Sequence, residues 1–139
     1  MEKKAIFQVL INLLARRGYF TTELRLKLKT RGFEPDDIDE AIAKLERLGL
    51  VNDAERTQQF IAHKRAQGYG PKAIAFQLKA KGIKAPPMEE NQEEQIRSLL
   101  QRRYAKYNLA DPKQKQKAFA ALVRRGFSID AIVKIIMTR

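Results

Sequence analysis

The chain has 139 residues, with 28 Lys plus Arg against 16 Asp plus Glu, a net charge of +12, no Cys and no Trp. That length supports the core of one ordinary domain, while the missing cysteine excludes a disulfide framework, a thiolate metal site and a thiol nucleophile. No apolar run reaches the roughly 18 residues a membrane span needs, and the N-terminus lacks a signal peptide's small-residue cleavage site, so a cytoplasmic protein without membrane association is expected.

Ile6, Val9, Leu10, Leu13 and Leu14 recur at helical spacing and predict a first helix from Lys3 to Arg17, stopped by Gly18. Thr21 is placed to cap a second helix that Leu24 and Leu28 stripe and Gly32 ends. Leu26 falls off that stripe and is read as packing against a neighbouring repeat. Pro35 suits the first position of a third helix, and Asp36 and Asp37 complement its N-terminal dipole. Its stripe is Ile38, Ile42, Leu45 and Leu48, before Gly49. Asn52 or Asp53 caps a fourth helix, on which Thr57, Phe60, Ile61 and Lys64 share a face. A tight turn, Gly68-Tyr69-Gly70-Pro71, leads into a fifth helix closed by Lys81-Gly82. Phe76 lies off its stripe, next to Lys72 and Lys79, and is read like Leu26.

Pro86-Pro87 then breaks the chain, because neither proline donates a backbone hydrogen bond, and residues 84–92 are the best linker candidate. From Glu93 a helix is expected with Ile96, Leu99, Leu100, Arg103, Tyr104 and Tyr107 on one face. Asp111-Pro112 reads as a cap followed by proline at the first helical position. The helix after it carries Phe119, Leu122 and Val123 and ends at Gly126. Ser128 caps the last helix, with Ile129, Ile132, Val133 and Ile136 apolar. No segment reads as strand.

The elements repeat. GYFTTELRLKLKTRGF, Gly18 to Phe33, matches GYGPKAIAFQLKAKGI, Gly68 to Ile83, at a constant offset of 50, so that Leu24 meets Ile74 and Leu28 meets Leu78. Arg31-Gly32-Phe33 reappears as Arg125-Gly126-Phe127, at an offset of 94. Fixed-period similarity marks units that each bury an apolar face against a neighbour. In the middle copy Ile42 and Leu45 become Gln92 and Gln95, so its third helix is expected to be missing or reduced to a turn. The predicted fold is all-α: an elongated array of tandem three-helix repeats over residues 1–50, 51–92 and 93–139, the middle one with a truncated third helix.

Catalysis finds little support, and no cofactor is expected. The single histidine, His63, sits mid-helix beside Lys64 and Arg65 with no partner to orient it. The acidic clusters at 36–40 and 89–94 precede helices, and neither has histidine at metal-ligand spacing. Binding is better supported, because the basic excess is uneven. Residues 1–50 hold 10 basic and 8 acidic groups, residues 51–85 hold 7 and 2, and residues 86–139 hold 11 and 6. The candidate basic face is Lys64, Arg65, Lys72, Lys79 and Lys81 around the central turn; Arg102 and Arg103, with Lys106; and Lys113, Lys117, Arg124 and Arg125, with Lys115. Tyr69, Tyr104 and Tyr107 are interleaved with these charges. A polyanion or an acidic protein surface is the expected partner. A helix-turn-helix reader would place base-contacting side chains at the start of its second helix; Thr22-Glu23 and Lys72-Ala73 stand there and suit base-edge recognition poorly, which leaves nonspecific phosphate contact open.

The stretch ERTQQFIAHKRAQGYGPKAIAFQLKAKGI, Glu55 to Ile83, preceded by LERLGLVND, resembles the RecX family of bacterial recombinase regulators. ARRGYFTTELRLKLKTRGF upstream and ALVRRGFSIDAI downstream extend the resemblance over most of the chain. It implies tandem three-helix repeats and a protein lodged in the groove of the RecA–DNA filament, where it restrains recombinase, ATPase and coprotease activities. The sequence departs from the family at Thr57, where an aromatic usually follows the arginine, and in the reduced third helix of the middle repeat. A monomer is expected, since no long heptad is left over to demand a dimer. The alternative is a nonspecific DNA-binding protein that neutralises phosphates of single- or double-stranded DNA.

Overall fold

The computed structural model describes residues 2–88 and 91–137. Among them the chain forms α1 (Glu2–Arg16), α2 (Thr21–Thr30), α3 (Pro35–Arg47), α4 (Asp53–Ala66), α5 (Pro71–Ala80), α6 (Gln92–Arg102), α7 (Pro112–Arg124) and α8 (Ile129–Ile136), with no strand. Helices of 8 to 15 residues are marginal alone in water, so tertiary burial of their apolar stripes must hold them. That burial is organised in two compact units, Met1–Gln59 and Phe60–Arg139.

In the first unit α1 and α2 both pack on α3. The core is Ile6, Leu10, Leu13, Tyr19, Leu24, Leu28, Ile38, Ala41, Ile42, Leu45 and Val51, with Phe7, Val9, Leu14 and Phe33 packed around it. Each fully buried aliphatic or aromatic side chain stabilises the unit by about 1.5–3 kcal/mol relative to exposure. Leu48, expected on the α3 stripe, instead caps that helix from an exposed position. Gly18, expected to stop α1, does not take the left-handed conformation; it lies against the Arg56 side chain.

The start of α2 differs from expectation in an informative way. Phe20, not Thr21, is the N-cap residue, and its N–H donates to Glu23 Oε1 at 2.8 Å. The Thr21 amide and hydroxyl donate to the two carboxylate oxygens of Asp53, at 2.8 and 2.6 Å. Asp53 is available for this because Asn52 caps α4, accepting the Glu55 N–H at 3.1 Å. Thr57 is buried, and its hydroxyl donates to the Asp53 carbonyl at 2.7 Å, so the residue standing in for an aromatic leaves no unsatisfied donor.

In the second unit α6 and α7 pack on α8 around Ile96, Leu99, Ala118, Leu122, Phe127, Ala131, Ile132 and Ile136. Asp111 caps α7 and Ser128 caps α8, each accepting the backbone N–H two or three residues on. Val123, Ile129 and Val133, expected in apolar stripes, are exposed. Tyr104 and Tyr107 lie beyond the end of α6 in turns, yet both rings pack on the core.

The third helix of the middle repeat is expected to be missing or reduced to a turn, and among the described residues, 83–88 are non-helical. The segment is not slack. Met88 is buried, and its carbonyl accepts from Arg65 Nη2 at 3.4 Å. Of the linker candidate 84–92, residues 89 and 90 lie outside the described residues, and Gln92 already belongs to α6.

Candidate partner interface

The Gly68-Tyr69-Gly70-Pro71 turn and the Arg125-Gly126-Phe127 turn meet backbone to backbone. The Gly70 N–H donates to the Arg125 carbonyl at 2.7 Å, and the Lys72 N–H donates to the Gly126 carbonyl at 2.9 Å. These are orphan donors of the α5 N-terminus meeting orphan acceptors past the α7 C-terminus, so unlike dipole ends are paired. Such proximity excludes side chains at the contact. A Cβ on Gly70 would lie 2.7 Å from the Gly126 carbonyl carbon, and one on Gly126 would lie 2.4 Å from the Ala73 nitrogen. Gly126 also has φ +97°, a left-handed conformation that L side chains rarely adopt. In the first unit the matching helix start, Thr21, is served by Asp53 instead.

Arg125 seals this joint. Its Nε donates to the Tyr104 hydroxyl at 2.7 Å and its Nη1 to the Gln67 carbonyl at 3.1 Å. Its guanidinium also lies 5.8 Å from the Tyr69 ring centre and 5.9 Å from that of Tyr104. Tyr69 is approached by Lys64 as well, at 5.4 Å, and Lys64 and Lys81 both lie within 6 Å of the Phe60 ring.

The structure therefore sorts the candidate basic face into two sets. Lys64, Tyr69, Lys81 and Arg125 are half-buried and in contact around α4, α5 and the α7 end, and half-buried Arg65 donates to the Met88 carbonyl. Lys72, Lys79, Arg102, Arg103, Lys113, Lys117 and Arg124 are exposed and available to a partner. One member of each set lines a pocket of about 250 Å³, where Arg65 and Arg102 stand with Gly68, Glu94 and Phe127. Arg102 is steadied there by Ser98, whose Oγ accepts its Nε–H at 2.9 Å. His63 is exposed in the last turn of α4. Two features escaped the sequence reading. One is the structural role of Arg125, signalled only by its alignment with Lys81 and Arg31. The other is the exposure of Leu26 and Phe76, both read as inter-repeat packing.

Comparison with known proteins covers nearly the whole chain. Family models described as the first, second and third three-helix domains of RecX match residues 7–45, 52–90 and 89–136. A protein named Regulatory protein RecX from Pseudomonas fluorescens is 30% identical over 142 residues, covering 97% of this chain and 92% of that one. Its namesake from Ectopseudomonas mendocina is 30% identical over 139 residues, covering 95% and 93%. Among solved structures, RecX from Lactobacillus salivarius superposes with a TM-score of 0.81 at 24% identity, covering 97% of this chain and 94% of that one. A second, titled regulatory protein RecX, gives 0.78 at 18% identity, covering 99% and 73%. The last two likenesses speak to the fold.

Proposed function

The chain belongs to the RecX family of regulatory proteins, and on that premise we propose that it is a monomeric cytoplasmic negative regulator of the RecA recombinase. It binds the groove of the RecA–DNA filament and restrains recombinase, ATPase and coprotease activity. It does so by binding and not by catalysis. The repeats over 1–50, 51–92 and 93–139 are its working divisions. The observation that carries this reading is the likeness, over 97% of this chain, to a protein named Regulatory protein RecX. The seven exposed cations of the second and third repeats supply the chemistry, because a repeated, negatively charged assembly draws such a chain by many weak contacts that add. No helix among the described residues is long and apolar enough to cross a membrane.

The net charge of +12 also favours direct phosphate binding, and one experiment separates the two readings. Retention is compared on naked DNA and on recombinase-coated DNA at one salt concentration. Preference for coated DNA supports the filament reading; equal or stronger retention on naked DNA supports nonspecific binding. The charge-reversal variant for this assay is Lys72→Glu, Lys79→Glu, Arg124→Glu. Arg125 is left out because reversing it would break the joint. Inhibition that survives the triple reversal rejects the electrostatic part of the proposal.

A further inference from the structure

The second helix of each of the first two repeats carries a large apolar side chain in water. Leu26 on α2 is 66% exposed and Phe76 on α5 is 76% exposed. Single exposed apolar residues are ordinary and need no explanation. These two are not independent. They occupy the same position in the internal repeat, offset by 50, two residues past the buried Leu24 and Ile74 and two before the buried Leu28 and Leu78. The third repeat puts the half-buried Ala120 there, counted from the shared Gly32 and Gly126.

Their surroundings are cationic. On α5, Lys72 and Lys79 are four residues before and three after Phe76, so all three side chains share one helix face, and all three are exposed. The helix contains no acidic residue. On α2, exposed Lys29 stands where Lys79 stands on α5. The one acid of α2, Glu23, accepts from the Phe20 amide and pairs with Arg17 at 3.5 Å. The first two repeats thus each present an apolar knob with exposed lysine beside it, Lys72 and Lys79 on α5 and Lys29 on α2, where the neighbouring Arg25 is paired with Asp39. That is the pattern of an interface anchor with a charged rim.

We propose that Leu26 and Phe76 are two copies of one docking element, each inserting into an apolar pocket with an acidic rim on a protein built from repeating subunits. This rests on the filament reading above and adds which side chains seat the chain on it. A protein pocket is favoured over a nucleic-acid base because one copy is leucine. A base-stacking platform draws its energy from aromatic faces, which only Phe76 supplies, whereas apolar burial in a protein pocket is served by leucine and phenylalanine alike. Two copies on one chain also suit a partner that repeats, since linked weak contacts multiply.

The test measures equilibrium binding of the full chain to the recombinase–DNA filament, and separately to naked single-stranded DNA, at one salt concentration. The variants are Leu26→Ser, Phe76→Ser, the double variant and Phe76→Leu. Because both side chains are mostly in water, melting temperatures should match the wild type. Each serine variant is expected to lose about tenfold or more in filament affinity, and the double variant more than either. Phe76→Leu should stay close to wild type. If the wild type fails to bind the filament, the filament reading falls and this proposal with it. If the wild type binds and the serine variants bind as well as it does, only this proposal is overturned. If Phe76→Leu is as damaging as Phe76→Ser and naked-DNA binding falls in parallel, the knob is a base-stacking platform and the protein-pocket assignment is wrong.

Discussion

Gly70→Ala should destabilise the second unit more than alanine's backbone preferences allow. Gly70 sits outside the left-handed region, with φ −92° and ψ 173°, so alanine adopts its conformation without strain. The whole cost is therefore spatial. The added methyl would lie 2.7–2.8 Å from the Gly126 carbonyl group and the Phe127 nitrogen, and backbone cannot swing aside as a side chain can. Separating the two turns enough to relieve this lengthens the 2.7 Å bond from Gly70 to Arg125 and the 2.9 Å bond from Lys72 to Gly126. Overpacking costs about 1–3 kcal/mol, and each of the two weakened hydrogen bonds about 0.5–1.5 kcal/mol, so a loss of roughly 2–6 kcal/mol is expected. For a chain of this size that corresponds to a fall of about 10 °C in melting temperature. Two comparisons isolate the mechanism. Gly49→Ala meets a positive φ of 75° but nothing within 4 Å, so only a backbone strain of about 1–2 kcal/mol is expected. Gly126→Ala meets both penalties and should be the worst of the three. Urea unfolding of the set, read with amide exchange at the start of α5, gives the ranking. A Gly70→Ala protein no less stable than Gly49→Ala would refute the backbone joint.

Arg125→Lys should cost about 2–3 kcal/mol of unfolding free energy, read by urea unfolding, because a point charge cannot serve Tyr104 and Gln67 together as the guanidinium fork does. In a double-mutant cycle, Tyr104→Phe and Arg125→Met should couple by about 1–2 kcal/mol; independent losses would remove Tyr104 from the joint. Asp53→Ala strands the Thr21 amide and hydroxyl and should destabilise the first unit by about 1–3 kcal/mol, against about 1 kcal/mol for Asn52→Ala, both read by thermal unfolding. In salt titrations on naked DNA, Arg124→Gln should lower the slope of log affinity against log salt by about 1 if Arg124 meets phosphate, while Arg125→Gln leaves it unchanged; a reduction with Arg125→Gln would show that it leaves the joint to bind.

The helices were legible because their signals are local. Asp111 and Ser128 act at helix starts through neighbours two or three residues away, while Pro35 starts a helix, and the prolines at 86 and 87 stop one, by their own geometry. What was not legible lay at distance. Thr21 is a good capping residue by type, but a carboxylate 32 residues away takes over the end of its helix. Tyr104 and Tyr107 continue the α6 periodicity although the helix has ended, since spacing alone does not fix where backbone bonds stop. Leu48, Val123, Ile129 and Val133 fit apolar stripes but face water, because a stripe's width depends on what packs against it. The basic face suffered most. Arg124 and Arg125 are identical in type and adjacent, yet a 100° turn of the helix leaves one in solvent and carries the other between two tyrosines.

That partition bears on how a strongly basic chain holds a surface steady enough to regulate. A partner contact made by a flexible side chain on a mobile segment costs ordering free energy at the moment of binding, whereas one presented from fixed backbone costs less. Here the half-buried members of the basic face are spent internally. Arg125 and Lys64 flank Tyr69, Arg65 ties the proline-broken segment down through the Met88 carbonyl, and the α5 N-terminus is bonded to the end of α7. Lys72 shows the consequence: its amide is fixed by Gly126 while its ammonium stays exposed. The backbone bonds at the start of α5 therefore fix the helix from which Lys72, Lys79 and Phe76 face outward. Removing that internal set should cost affinity by loosening the presentation of charges that are themselves untouched.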